Sequence, residues 1–305
     1  MALKRDYPEN RGEFHEMFAT DRQCQEYLAK LRWPGGYKCI YCGQSHAWVN
    51  ARGSMHCAAC DRQFSVTSGT LLHRLRYPLK TWFEVAWNAC EQKNGISALG
   101  LQRAMGFGSY HTAWEALHRI RQAMVLPGRS KLNGEVEVDE AIIGGVKQGK
   151  RGRGAAGKVL VFVAAEVRGV AIGRARLLVI PDATASTLLS SVQDLVEPGS
   201  YVVTDGLSSY NGLDKIGYNH YVSRPTPVIG KNLLPKAHRV ISLLKRWLLG
   251  THQGAISHDR LQSYLDEFVF RFNRRSSKSR GLIFRRLLEQ AAAHPPISKA
   301  QLLTP

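Results

Sequence analysis

Glu135-Val136-Glu137-Val138-Asp139-Glu140-Ala141-Ile142-Ile143 alternates acidic and branched apolar residues, then closes on an apolar run. A period of two is the signature of a strand with two different faces, and it makes this segment a strand that carries Asp139. Working outward, residues 144–158 are rich in Gly, Lys and Arg and read as a loop. Val159 to Val167 and Ala171 to Ile180 read as two more strands, the first of them buried. Thr184 to Val196 reads as a helix with Thr184 as its cap. Tyr201-Val202-Val203-Thr204 is a short strand ending at Asp205-Gly206, and His220-Tyr221-Val222 a weak one. Helices are expected over 236–249, 257–274 and about 282–293. Three strands followed by helix, strand and helices make an α/β layout with a mixed sheet.

The N-terminal half has another character. In residues 1–30, Glu13, Phe14, Met17, Phe18, Cys24, Tyr27 and Leu28 recur at spacings of three and four, which predicts helix. Residues 33–70 are turn-rich and carry cysteines. Residues 78–126 read as all helical: Pro78 starts a helix, Ile96 to Met105 forms a second, and Thr112 to Met124 a third after the turn Gly106-Phe107-Gly108.

Composition narrows the function. The 305 residues carry 42 Lys and Arg against 24 Asp and Glu, a net charge of +18. Such an imbalance points to a polyanionic partner, with nucleic acid first. Hydrophobic residues make up 44%, enough for a sizeable core and too many for a mostly disordered chain. No apolar run approaches the roughly 20 residues of a membrane span, and Met-Ala-Leu-Lys-Arg-Asp-Tyr-Pro is not a secretory signal. A cytoplasmic, nucleoid-associated protein is expected.

Four of six cysteines form Cys39-x-x-Cys42 and Cys57-x-x-Cys60. In a reducing compartment such paired knuckles read as a tetrahedral, structural zinc site. His56 is an alternative ligand that fits less well than Cys57, while Cys24 and Cys90 are expected in the core. Residues 94–125 form a helix-turn-helix candidate, with Arg119 and Arg121 placed to meet DNA. Lys147, Lys150, Arg151, Arg153 and Lys158 sit among glycines without an acid and form a candidate backbone grip or a solvated hairpin tip. Asp139 and Asp205 each end a strand, a placement that suits hard divalent cations. Two such cations about 3.5–4 Å apart serve phosphodiester cleavage and strand transfer.

These motifs together resemble bacterial insertion-sequence transposases with an N-terminal zinc ribbon and a ribonuclease-H-like, DDE-type domain. The resemblance spans roughly residues 10–290. It is carried by the ribbon with its Gly69-Thr70 exit, Val136-Glu137-Val138-Asp139-Glu140 and Val202-Val203-Thr204-Asp205-Gly206. It is carried further by Ser242-Leu243-Leu244-Lys245-Arg246, Gly250-Thr251-His252, Tyr264-Leu265-Asp266-Glu267-Phe268 and Arg271-Phe272-Asn273-Arg274-Arg275.

The resemblance implies a helical segment over 1–32, a zinc ribbon over 33–70 and a helical DNA-binding segment over 78–126. A catalytic domain over 132–290 and a tail over 291–305 complete the chain. It also implies Mg²⁺ or Mn²⁺ held by Asp139, Asp205 and a third residue on a late helix, with a Lys seven residues further on contacting DNA. That Lys is Lys245, followed by Arg246, so the third position is His238. No Asp or Glu occurs from Lys215 to His258, whereas seven Lys or Arg do, so no carboxylate is available one turn away. His238 and Lys245, about two helical turns apart, share a face.

An Asp-Asp-His-Lys transposase and a catalytically decayed copy both fit, as do a DNA-binding regulator and a structure-specific nuclease on the same fold. The partners implied are double-stranded DNA, both element ends and target, and further copies of the chain in a dimer or larger assembly. Glu140 is expected on the face opposite Asp139. Glu267 and Arg271 are expected to pair on a helix, Arg271, Arg274 and Arg275 to serve structure or DNA ends, and Trp247 and Tyr210 to stack on a base or pack in the core.

Overall fold

The computed structural model describes residues 5–50, 53–126, 128–144, 158–225, 232–254 and 256–303. The chain forms two compact units, residues 1–127 with 276–305, and residues 128–275. The first runs through α1 (Arg11–Met17), α2 (Asp21–Arg32), β1 (Ala47–Val49), β2 (Met55–Cys57), β3 (Gln63–Phe64), α3 (Leu79–Glu91), α4 (Ala98–Met105) and α5 (Tyr110–Gln122). The second holds β4 (Glu135–Ile143), β5 (Val159–Arg168), β6 (Ala171–Ile180), α6 (Ala185–Leu195), β7 (Tyr201–Thr204), β8 (Asn219–Val222), α7 (Pro235–His252) and α8 (Leu261–Phe272). The chain then rejoins the first unit with α9 (Arg280–Ala293) and α10 (Lys299–Leu303).

In the first unit the helix expected over residues 1–30 is two helices. Thr20 and Gln23 form a capping box that starts α2 afresh, because each satisfies a backbone N–H of the other's end. Ser97 caps α4, Gly106 ends it at φ +63°, and Ser109 caps α5, so two capped helices flank the expected turn. The second compact unit ends at residue 275, short of the limit of 290 expected for the catalytic domain. The reason is Phe284 on α9. Its ring meets those of Phe14, Phe18, Phe83 and Trp87 at 5.5–5.8 Å, which draws the helix into the N-terminal core. Gly281 permits the approach: a Cβ there would stand 1.6 Å from the carbonyl oxygen of Pro8.

The second unit is a five-stranded sheet in the order β6-β5-β4-β7-β8. β6, β5 and β4 are antiparallel neighbours, whereas β4, β7 and β8 are parallel. This is the ribonuclease-H-like mixed sheet. Alternation in β4 sends Val136 and Val138 into a core with Leu188 and Val192 of α6. On the other face Ala141 joins Val163 and Leu177 beneath Val240 and Leu244 of α7 and Leu265 and Phe268 of α8. Trp247 and Tyr210 are core residues, 8% and 1% exposed, rather than base-stacking ones.

β6 is an edge strand whose outward backbone groups need partners. Asn273 supplies them at Ala175, accepting from its N–H at 2.7 Å and donating to its carbonyl at 3.1 Å. Gln262 accepts from the N–H of Val179 and donates to the carbonyl of Leu177. Arg275 donates to the carbonyls of Ile172 and Gly173. Glu267 and Arg271 pair at 2.8 Å, both largely buried. The Arg271–Arg275 motif thus closes a sheet edge.

Gln262 also donates to Asp266, whose carboxyl burial pushes up to about 6. An acid whose folded pKa is raised holds its proton more tightly folded than unfolded. Stability is therefore lost as pH rises from about 4 to 6, by roughly 3 kcal/mol in all. Asp266→Asn keeps the acceptor and removes the charge. It should raise the melting temperature at pH 7.5 and leave it nearly unchanged at pH 4; equal shifts at both would rule this account out.

Candidate active site and metal centres

The ribbon centre is built by two tight knuckles. Gly43, at φ +74°, donates to the carbonyl of Cys39 and closes the first. The Sγ atoms of Cys39, Cys42, Cys57 and Cys60 all lie within 4.8 Å of one another, with Cys39 to Cys60 at 3.7 Å and Cys42 to Cys57 at 3.6 Å. A zinc–thiolate tetrahedron with bonds of about 2.3 Å has edges of about 3.8 Å, so the four sulfurs fit the ion closely. Burial opposes ionisation of Cys39, yet the N–H groups of Cys42 and Tyr41 outweigh it and bring the thiol down to about 6. The N–H of Cys60 lowers Cys57 likewise. His56 instead turns to Asp61 at 3.0 Å. Cys24 and Cys90 are buried away from the centre.

The second constellation lies where the middle of β4 meets the end of β7. β4 and β7 pair in parallel with Glu135 opposite Tyr201, Val136 opposite Val202 and Glu137 opposite Val203. Two steps further along that register, Asp139, which stands in the middle of β4 and not at a strand end as expected, lies level with Asp205, the first residue after β7. α7 brings His238 to them, its Nε2 3.2 Å from Oδ2 of Asp139. The other ring nitrogen, Nδ1, is 2.6 Å from Oδ1 of Asn232. Oδ1 of Asp139 accepts from the N–H of Glu140, and Oδ1 of Asp205 from that of Leu207. Each carboxylate is thus oriented by backbone, and the imidazole by an amide.

The metal-binding atoms of Asp139, Asp205 and His238 do not all lie within 4.8 Å of one another. Among the described residues only the four cysteines gather three or more metal-binding groups within 4.8 Å. Two cations side by side suit a wider set of ligands than one does, since each ligand then reaches its own ion.

Glu140 points to the opposite face, as alternation requires, and accepts from the hydroxyl of buried Tyr210. Burial and the neighbouring Glu140 carboxylate push that phenol well above its usual range. Lys245 is exposed on the His238 face of α7 and borders a cavity of about 300 Å³ lined by Ile142, Ile143 and Leu248. Arg246 is exposed beside it.

Other expected DNA contacts fare differently. Arg121 is 2% exposed. Arg119 is half-buried and donates to the carbonyls of Leu71 and Ile297 at 3.3 and 2.9 Å. Both belong to the interior of the first unit, so their place at a DNA surface is corrected. Lys147, Lys150, Arg151 and Arg153 lie outside the described residues; Lys158 is partly exposed at the start of β5.

Two residues of the site carry no warning in the sequence reading. Asn232 orients His238 across a turn that no periodicity marks. Glu137 is 5% exposed and accepts from the N–H groups of Lys236 and Ala237, and burial pushes its carboxyl up in spite of those bonds. An acid on the inward face of a strand, two residues before Asp139, was the available signal.

Comparison with known proteins now bears on these centres. Residues 131–273 match the ISXO2-like transposase domain, limits that nearly coincide with the second unit. Residues 19–63 match the transposase zinc-ribbon domain. The chain belongs to the insertion-sequence transposases. A relative of the transposase, "Uncharacterized protein in transposable element ISH50" of Halobacterium salinarum, is 29% identical over 286 residues, covering 83% of this chain and 91% of the relative. Among the described residues of the transposase, no helix is long and apolar enough to cross a membrane.

Proposed function

We propose that this transposase binds the terminal inverted repeats of its element, cuts the strand there and joins the freed 3′-hydroxyl to target DNA. The observation that carries this reading is the meeting of His238 with Asp139 at the level of Asp205. Asp139, Asp205 and His238 would hold Mg²⁺ or Mn²⁺. When bound, these ions supply an activated water and charge stabilisation at the phosphate. The Asn232 side-chain oxygen accepts a hydrogen bond from Nδ1–H of His238 and so turns Nε2 towards Asp139, the arrangement that makes an imidazole a ligand. Lys245 and Arg246 lie along the same helix surface to hold the phosphate backbone.

On the first unit the exposed start of α5, Tyr110 and His111, together with Arg103 of α4, takes over the DNA-facing role assigned to Arg119 and Arg121. Two element ends must be brought together, so the working form is a dimer or larger assembly.

The test is a labelled duplex of the element's own terminal repeat, flanked by host DNA and incubated with purified protein. Cleavage and joining are expected in the parent and lost in Asp205→Ala. Imidazole is a softer donor than carboxylate, so activity should be higher in Mn²⁺ than in Mg²⁺. Tight binding without cleavage in the parent would show a decayed or regulatory protein, and cleavage without joining a nuclease.

A further inference from the structure

Helix α7 begins without a cap of its own. Its N-cap residue is Leu234, which has no side-chain acceptor, and Pro235 follows without an N–H. The first free N–H groups are those of Lys236 and Ala237. One oxygen of Glu137, Oε2, accepts both, at 2.7 and 2.9 Å. That carboxylate belongs to β4, a hundred positions away in sequence from Ala237. Its burial would be costly in an apolar setting, and here the positive end of the helix and two donors compensate it.

The next residue along α7 is His238. Glu137 and Asp139 are two positions apart on one strand, so both face the helix about 7 Å apart. The helix start is therefore tied to one residue and delivers its imidazole to the other. A further point of register lies where Lys245 meets the cavity bordered by Ile142 and Ile143. Helix and strand run in the same direction from an origin at Glu137.

We propose that Glu137 is a positioning residue for the metal site: by gripping the first turn of α7 it sets where His238 stands over Asp139. The proposal rests on the reading of His238 as a metal ligand. A plain helix cap would contribute stability and nothing to metal affinity. A third carboxylate ligand would act without His238.

A double-mutant cycle separates these. Mn²⁺ binding to the zinc-loaded full chain is measured by electron paramagnetic resonance in the parent, Glu137→Ala, His238→Ala and the double variant. Glu137→Ala should weaken Mn²⁺ binding about 10- to 100-fold, the range seen when an orienting partner of a ligand is removed. In the His238→Ala background the same change should have no further effect. Glu137→Gln, which keeps an acceptor of the same length, should bind within about threefold of the parent. Should the alanine variant not fold, Glu137→Asp replaces it in the cycle. Its shorter reach displaces the helix start, with a loss again expected only when His238 is present.

Equal losses with and without His238, or no loss from Glu137→Ala, would overturn the positioning role while leaving His238 a ligand. Failure of Glu137→Gln to restore binding would overturn it too, by showing that the charge and not the grip matters. His238→Ala without effect on Mn²⁺ would instead overturn the ligand reading, and this proposal with it.

Discussion

His238→Ala should lower cleavage of a labelled element end about a thousandfold at saturating Mn²⁺, while a gel shift with the same DNA stays unchanged. The magnitude follows from the charge stabilisation that a bound cation supplies, several kcal/mol, of which about 4 kcal/mol corresponds to a factor near a thousand. The specificity of the effect follows from geometry. His238 is exposed, its Nε2 stands 3.2 Å from Asp139 and its Nδ1 is held by Asn232, so alanine removes a donor and no core packing. His238→Glu should restore much of the cleavage and move the preference from Mn²⁺ towards Mg²⁺, since a carboxylate is the harder donor. Cleavage by His238→Ala within threefold of the parent would mark position 238 as a passenger. Loss in both variants with no change of metal preference would mean that the helix, not the donor, was disturbed.

How much of this was legible differs between the two units. Period-two alternation over 135–139 and the apolar runs after it gave every strand of the sheet, because each strand shows two faces or none to solvent. Cysteine spacing gave the ribbon, since four sulfurs at fixed turns leave little freedom. A strand end marks Asp205, whereas Asp139 stands in the middle of β4. What local pattern does not carry is the partner of an apolar face.

The stripe on α9 shows that the helix must be covered. Only the packing of Phe284 among Phe14, Phe18, Phe83 and Trp87 shows by what. Arg119 and Arg121 were read from charge, although Ala113, Leu117 and Arg121 stand four apart on the stripe that α5 buries. The partners of Asn273 and Glu137 were invisible for the same reason. Each is a polar side chain whose partner is backbone far away in sequence, at Ala175 and at the start of α7.

Removing zinc should unfold the ribbon and leave the catalytic unit standing. The ribbon's own apolar core consists of Cys39, Cys57 and Phe64, with Trp33, Tyr37, Met55 and Cys60 packed on it. Its strands are three, three and two residues long. A core of that size cannot offset the entropy of ordering some forty residues at about 1–2 kcal/mol each, whereas structural zinc supplies an apparent 10–16 kcal/mol. Two of the three buried core residues are themselves ligands, so losing the ion also leaves thiolates facing one another. Stripping zinc with a strong chelator, or Cys57→Ser, should open residues 33–70 to limited proteolysis and release the one zinc per chain. The fragment containing residues 128–275 should stay resistant, because its sheet is covered by α6 on one face and by α7 and α8 on the other. Binding of the element end should fall with the ribbon. A ribbon that keeps its protease resistance without zinc would show that its few aromatic contacts, Tyr37 stacked on Phe64 at 5.8 Å among them, suffice to hold it.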